Sequence, residues 1–278
     1  MASGVHLITY PDRLAGSLSG LTDLLDGPLH GVFRGVHVLP FYAYTDGADA
    51  GFDPTDHREV DPRVGTWDDM ARLAGTVRDV RERGDASPHA DMLLDYSGVF
   101  PDGATEEQLL AIYRPRPGLP FTPVTLGERT RLLWTTFTAQ QLDLDLRSER
   151  TWEYLTDVLA LLAAHGVRTV RLDAVGYVAK TPGTSCFLTP ATLDVVDRLG
   201  EQAHRLGLRT LAEVHASHHV ALRMAPHVDA VYDFALPALL LYALHTGDVD
   251  PLRGWLDLRP ANCVTVLDTH DGIGVVDV

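Results

Sequence analysis

Short apolar runs rich in Val, Ile, Leu and Thr alternate with stretches of helical periodicity. That is the pattern of parallel strands joined by helical crossovers. Six runs read as strands: Val5–Tyr10, Gly35–Pro40, Thr169–Val175, Thr210–His215, Ala230–Leu236 and Val264–His270. From Thr151 to His165, Leu155, Val158, Leu159 and Leu162 share one helical face. A second helix is predicted from Pro190 to Leu206, with Thr189 as N-cap and Pro190 at the first helical position. Trp67, Met70, Leu73, Ala74, Val77 and Val80 also keep a helical spacing, and no strand follows them before Arg81–Gly84. The segment 80–150 breaks the alternation with turn signals such as PDG and RPRPG, and reads as a small inserted subdomain.

The fold class is therefore α/β, and the expected architecture is a (β/α)8 barrel. Residues 1–79 would form its first part, 80–150 the insert and 151–278 the second part. The barrel reads as incomplete: six strands are legible where eight are needed, and the sequence stops at Val278 with no helix to cover the last strand.

The composition leaves that picture intact and narrows the partners. Its 278 residues suit one large domain, with 45% hydrophobic and 22% charged residues. The net charge of −15 repels a phosphodiester backbone, so no nucleic acid is expected. An anionic substrate would need its own cluster of arginines. Cys186 and Cys263 are too few for a disulfide framework and lack metal-binding spacing. With no signal segment and no apolar run near 18 residues, no membrane contact is expected and the cytoplasm is the default location.

Three predicted strands end in carboxylates: Asp173, Glu213 and Asp271. A lone acid there is usually a solvated strand end. Three converging on the C-terminal rim point to chemistry, because acids beside an apolar core are costly unless paired or used. Paired carboxylates are what glycosyl transfer requires. In a retaining enzyme they stand about 5–5.5 Å apart, the spacing expected of Asp173 and Glu213. Arg171 lies two residues before Asp173, so alternation points both side chains to one face, where the guanidinium would keep the acid ionised.

Other clusters admit competing readings. The loop Thr45–Trp67, with Asp46, Asp49, Asp53 and Asp56, could be solvated, bind calcium, or bind sugar through Asp49 and Phe52. His215, His218 and His219 read as neutral histidines on a loop and helix start, or as metal ligands. Arg114 and Arg116, stiffened by Pro115 and Pro117, form either a basic turn or a phosphate site.

The runs LITYPDRL, GVHVLPFY, DGADAGFDPTDH, GATEEQLLAIYRPRPGLPFT, RLDAVGYVAKTPGTSCF, VYDFALPALLLYAL and NCVTVLDTHDGIG resemble the sucrose phosphorylase branch of the α-amylase superfamily. The resemblance implies glucosyl transfer from sucrose to phosphate, giving α-glucose 1-phosphate and fructose. Asp173 would be the nucleophile, Glu213 the general acid/base and Asp271 the transition-state stabiliser, with His270 beside it. Asp49 and Phe52 would line the glucosyl pocket, faced by Phe137 and Gln141 from the insert. Tyr177 and His215 would lie on the acceptor side, and Arg116 would hold phosphate or the fructosyl group. No metal or organic cofactor is implied, and a homodimer is one compatible assembly. Against the family pattern, a third strand ending in Asn-His is missing where Gly75–Val80 joins a helix directly to the insert. The eighth strand, the acceptor loops of the family's C-terminal half and its trailing β-domain are missing too. A related glucoside phosphorylase, an α-glucoside hydrolase or a non-catalytic fragment are the alternatives.

Overall fold

The computed structural model describes residues 4–33, 35–44, 51–65, 86–87, 90–269 and 271–274. Asp49, His270, the helical spacing at 67–80 and the 75–80 junction lie outside the described residues.

Each of the six expected strands is found. β1 (His6–Thr9) pairs in parallel with β2 (Gly35–Val38). Within residues 80–150, β3 (Phe121–Leu126) and β4 (Arg129–Trp134) form an antiparallel hairpin. β5 (Thr169–Leu172), β6 (Arg209–Ala212), β7 (Ala230–Asp233) and β8 (Cys263–Thr265) make a four-stranded parallel sheet in chain order.

The strands are shorter than their apolar runs, for local reasons. β5 stops at Leu172 because Ala174 is left-handed at φ 45° and Val175–Tyr177 wind into a 3-10 turn. β7 stops at Asp233 because its carboxylate accepts from the Leu236 N–H at 3.2 Å and starts a helix.

Helices fill the crossovers. α1 (Pro11–Ala15) and α2 (Leu18–Asp26) follow β1. α3 (Tyr96–Val99) and α4 (Glu106–Ala111) precede the hairpin, and α5 (Glu149–Ala164) leads into β5. α6 (Pro190–Arg205) starts as predicted: Thr189 Oγ1 accepts from the Thr192 N–H, and Pro190 holds the first helical position. Such a cap contributes about 1 kcal/mol. α7 (His218–Met224) joins β6 to β7. α8 (Ala235–Thr246) and α9 (Asp250–Leu258) join β7 to β8. Among the described residues no helix is long and apolar enough to cross a membrane.

The chain divides into two compact units. One comprises Ala2–Tyr96 and Pro120–Thr151. Its hairpin packs Leu126 and Leu133 onto Leu93, and Arg131 pairs with Asp95 at 2.6 Å. The other comprises Ser97–Leu119 and Trp152–Val278 and carries the four-stranded sheet. β6 is buried on both faces, with Ala212 in one apolar cluster beside Val196 and Met224, and Leu211 in another beside Tyr232 and Phe234. Burial on both faces is the usual state of a parallel sheet under helices. The wholly buried Asp233 ties the β7 end to the following helices, accepting from Trp255 Nε1 at 2.7 Å and Arg259 Nη1 at 2.9 Å.

Candidate active site

The C-terminal ends of β5 and β6 are neighbours, so residues just beyond them meet. Arg171 and Asp173 point to the same side, as strand alternation requires. Arg171 Nη1 donates to Asp173 Oδ1, and its Nη2 lies 3.7 Å from Glu213 Oε1. One guanidinium thus touches both carboxylates. Its side chain and that of Glu213 are about nine-tenths buried, whereas Asp173 is half exposed. Such a geometry leaves the acid on β5 open to a ligand and the acid on β6 sheltered.

Glu213 is gripped from a second direction. Its Oε2 accepts from the backbone N–H of Ala174 at 2.7 Å. His215 Nε2 stands 3.3 Å from Glu213 Oε1 and 3.7 Å from Asp271 Oδ2. The His215 ring is held by stacking on Phe234, with centroids 3.9 Å apart and planes 17° apart. Asp271 in turn is set by a bond from its own N–H to Thr269 Oγ1 at 3.2 Å. Asp173, Glu213 and Asp271, three acids far apart in sequence, therefore belong to one chain of contacts through Arg171 and His215. Among the described residues, Glu213, His215 and Asp271 are the group able to share a metal ion, with ligand atoms all within 4.8 Å of one another. His218 and His219 instead begin α7.

Tyr232, on the adjacent strand, feels the same charges. Burial pushes its hydroxyl up to about 12, Arg171 works in the opposite direction and Glu213 adds to the rise. Tyr177, in the turn after Asp173, is also raised, first by burial and then by Tyr113 and Glu213. Both phenols are neutral donors at ordinary pH.

The arginine loop is joined to this turn. Tyr113 stacks on Tyr177 with centroids 6.1 Å apart and planes 10° apart, and Phe187 packs on both at 4.9 and 4.7 Å. The Tyr113 N–H donates to the Ser185 carbonyl at 2.8 Å. Gly176 lets this cluster close, since a Cβ there would lie 2.6 Å from Phe187 Cε2. A cavity of about 630 Å³ opens along the loop, lined by residues 110–117 and Ser185. Arg114 Nη1 donates to the Gly118 carbonyl and so braces its own loop. Arg116 lines the cavity and has no carboxylate partner among the described residues.

Phe52, Phe137 and Gln141 lie in the other unit. There Gln141 Nε2 donates to the Phe52 carbonyl at 3.0 Å, which joins two of the expected glucosyl contacts. Sequence reasoning missed the Ala174 N–H, Tyr113 and Phe187. The YRPRP run placed a tyrosine beside the arginines, but nothing in the sequence aimed it at Tyr177.

No protein-family model matches the chain. It is 50% identical over 297 residues to the sucrose phosphorylase of Bifidobacterium adolescentis, covering all of this chain and 59% of that enzyme. It is 36% identical to the glucosylglycerol phosphorylase of Marinobacter adhaerens, again over 100% of this chain and 61% of the relative. The solved structure of sucrose 6F-phosphate phosphorylase from Thermoanaerobacter thermosaccharolyticum superposes with a TM-score of 0.90 at 35% identity, covering 99% of this chain and 61% of that one. The chain is thus a homologue of the glucoside phosphorylases, with part of their α/β barrel. In particular, it is homologous over its whole length to the sucrose phosphorylases of the α-amylase superfamily. It spans about three fifths of the length of these relatives. The first alignment is also longer than the chain's 278 residues, so residues of the relative stand opposite gaps within it.

Proposed function

We propose that this site transfers an α-glucosyl unit from sucrose to phosphate with net retention, releasing fructose and α-glucose 1-phosphate. The observation that carries the reading is Arg171 in contact with both Asp173 and Glu213. One acid is open to a sugar and the other is sheltered, which is the division of labour that double displacement needs. Asp173 attacks the anomeric carbon while Glu213 gives its proton to the departing fructosyl oxygen, and a covalent glucosyl ester forms. A phosphate oxygen then attacks the same carbon, Asp173 leaves, and Glu213 takes the phosphate proton. Asp271 balances positive charge developing on the sugar.

Arg116 supports phosphate over water as the acceptor. In a chain of net charge −15, a guanidinium on a proline-stiffened loop, with no carboxylate partner among the described residues, offers local attraction for an anion. The deciding experiment incubates the purified chain with sucrose, glucosylglycerol or glucosylglycerate, with and without phosphate, and measures glucose 1-phosphate. Phosphate-dependent release that is fastest from sucrose is expected. Release of free glucose alone would make the site a hydrolase, and no release from any donor would sink the reading.

A further inference from the structure

Among the described residues, Ala174 is one of three non-glycine residues with positive φ, at 45°, and it directly follows Asp173. Its ψ of 32° places it fully in the left-handed region. A left-handed conformation is unfavourable for an L-residue, and such strain persists only where the surroundings hold it. Immediately before that turn, the Asp173–Ala174 peptide unit presents the Ala174 N–H to Glu213 Oε2, 39 residues away in sequence, at 2.7 Å. An extended residue at this position would carry the chain on along β5, whereas the left-handed φ turns it away directly after that N–H and anchors the peptide unit from its far side. We infer that Ala174 is a positioning residue: its left-handed turn fixes the carboxylate of Glu213 relative to that of Asp173, through the single peptide unit joining residues 173 and 174.

The geometry supports this on three counts. The N–H and the Arg171 guanidinium approach different oxygens of Glu213, so together they set the plane of the carboxylate as well as its place. The turn is locked from behind by Leu188, whose N–H donates to the Gly176 carbonyl at 2.8 Å and whose own φ is 47°. Ala174 also carries the smallest side chain that still restricts φ, so the turn is held yet leaves room beside Asp173.

The inference rests on the proposed function for its catalytic consequence, and the test separates the two. The Ala174 amide is observed by labelling Asp carbonyl carbons with 13C and Ala nitrogens with 15N. This selects the Asp–Ala pairs at 49–50, 85–86, 173–174 and 229–230. Glu213→Ala should move the 173–174 resonance upfield and speed its hydrogen exchange, with 229–230 unmoved as the fold control. An unmoved 173–174 resonance overturns the inference whether or not the chain is active.

In the kinetic arm, Ala174→Val puts a β-branched residue where φ is positive. It should lower kcat on sucrose about 10–100-fold, but activity on α-glucosyl fluoride, whose leaving group needs no proton, by less than about threefold. Ala174→Gly, which keeps the N–H and adopts this φ readily, should recover most of the loss. Equal loss on both donors would mean that the turn merely shapes the fold. Wild-type inactivity on both donors counts against the proposed function, and the resonance then decides the positioning on its own.

Discussion

The rings of Tyr113 and Tyr177 lie 10° from parallel with their centroids 6.1 Å apart, which joins the arginine loop to the turn behind Asp173. Tyr113 lines the same cavity as Arg116. Replacing it with alanine should therefore loosen the guanidinium without touching the carboxylates. The expected outcome for Tyr113→Ala is a phosphate KM raised about tenfold, from the loss of one aromatic contact of roughly 0.5–1.5 kcal/mol, with kcat at saturating phosphate within about threefold. Initial rates across a phosphate series check this.

Arg116→Ala should act on the same quantity more strongly. The phosphate requirement rises and sucrose hydrolysis, which needs only water, stays largely intact. Parallel assays of glucose 1-phosphate and free glucose separate the two. An equal fall in both products would show that the loop only shapes the fold.

Arg171 contacts Asp173 and Glu213 together. Arg171→Lys keeps a point charge but loses the fork that spans two acids. Misplacing catalytic groups by 1 Å can cost about 100-fold in rate. We expect kcat/KM for sucrose to fall at least about 100-fold in Arg171→Lys, and the thermal midpoint much less. A Lys variant near wild-type rate would show that charge alone suffices.

Asp233 is wholly buried and accepts from Trp255, Arg259 and the Leu236 N–H. Asp233→Ala leaves the buried Trp255 and Leu236 donors unanswered, while Arg259, about a third exposed, keeps Thr265 Oγ1 as an acceptor. Breaking such a pair costs about 3–5 kcal/mol, enough to unfold a marginal domain. Urea denaturation followed by tryptophan fluorescence should register the loss directly.

Asp229 gives a pH signature. Burial by itself would raise its pKa, but the Thr210 N–H at 2.8 Å, His204 at 2.8 Å and the Thr210 hydroxyl outweigh it, and the net shift is downward from 3.8. The unfolded chain then binds the proton more readily than the folded one. Stability from this carboxylate is present above 3.8 and lost as pH falls through the lower folded value. The margin of wild type over Asp229→Asn should be full at about pH 6 and should shrink below about pH 4. A constant margin would assign the loss to packing.

The positions of the barrel strands were legible because a strand buried on both faces must be an apolar run, as in Thr210–Ala212 and Ala230–Tyr232. Their ends were not. The run from Thr169 to Val175 has apolar residues again at Ala174 and Val175, while the backbone turns at Ala174, whose N–H donates to Glu213, a partner that no local pattern encodes. The three acids and Arg171 stood out because charge beside an apolar strand is rare. The placement of His215 beside two of them goes with its stacking on Phe234, which follows a different strand. The β3–β4 hairpin carried a readable signal, two extended runs separated by Gly127-Glu128. Gly127 has a φ of 58° and fills the first central position of the turn, where such hairpins favour glycine.

The missing Cβ of Gly176 also bears on how this sequence can change over generations. The Phe187 ring cannot swing aside, because Tyr113 and Tyr177 pack on it at 4.9 and 4.7 Å, and Val214 stands 3.2 Å from the same absent atom. A larger residue at 176 is therefore admissible only together with a smaller one at 187. Positions 176 and 187 form a mutational ratchet: Phe187 can shrink first at the cost of a cavity, whereas growth of Gly176 first forces a packed ring to move. Lineages that carry a side chain at 176 should have lost the aromatic ring at 187 before they gained it.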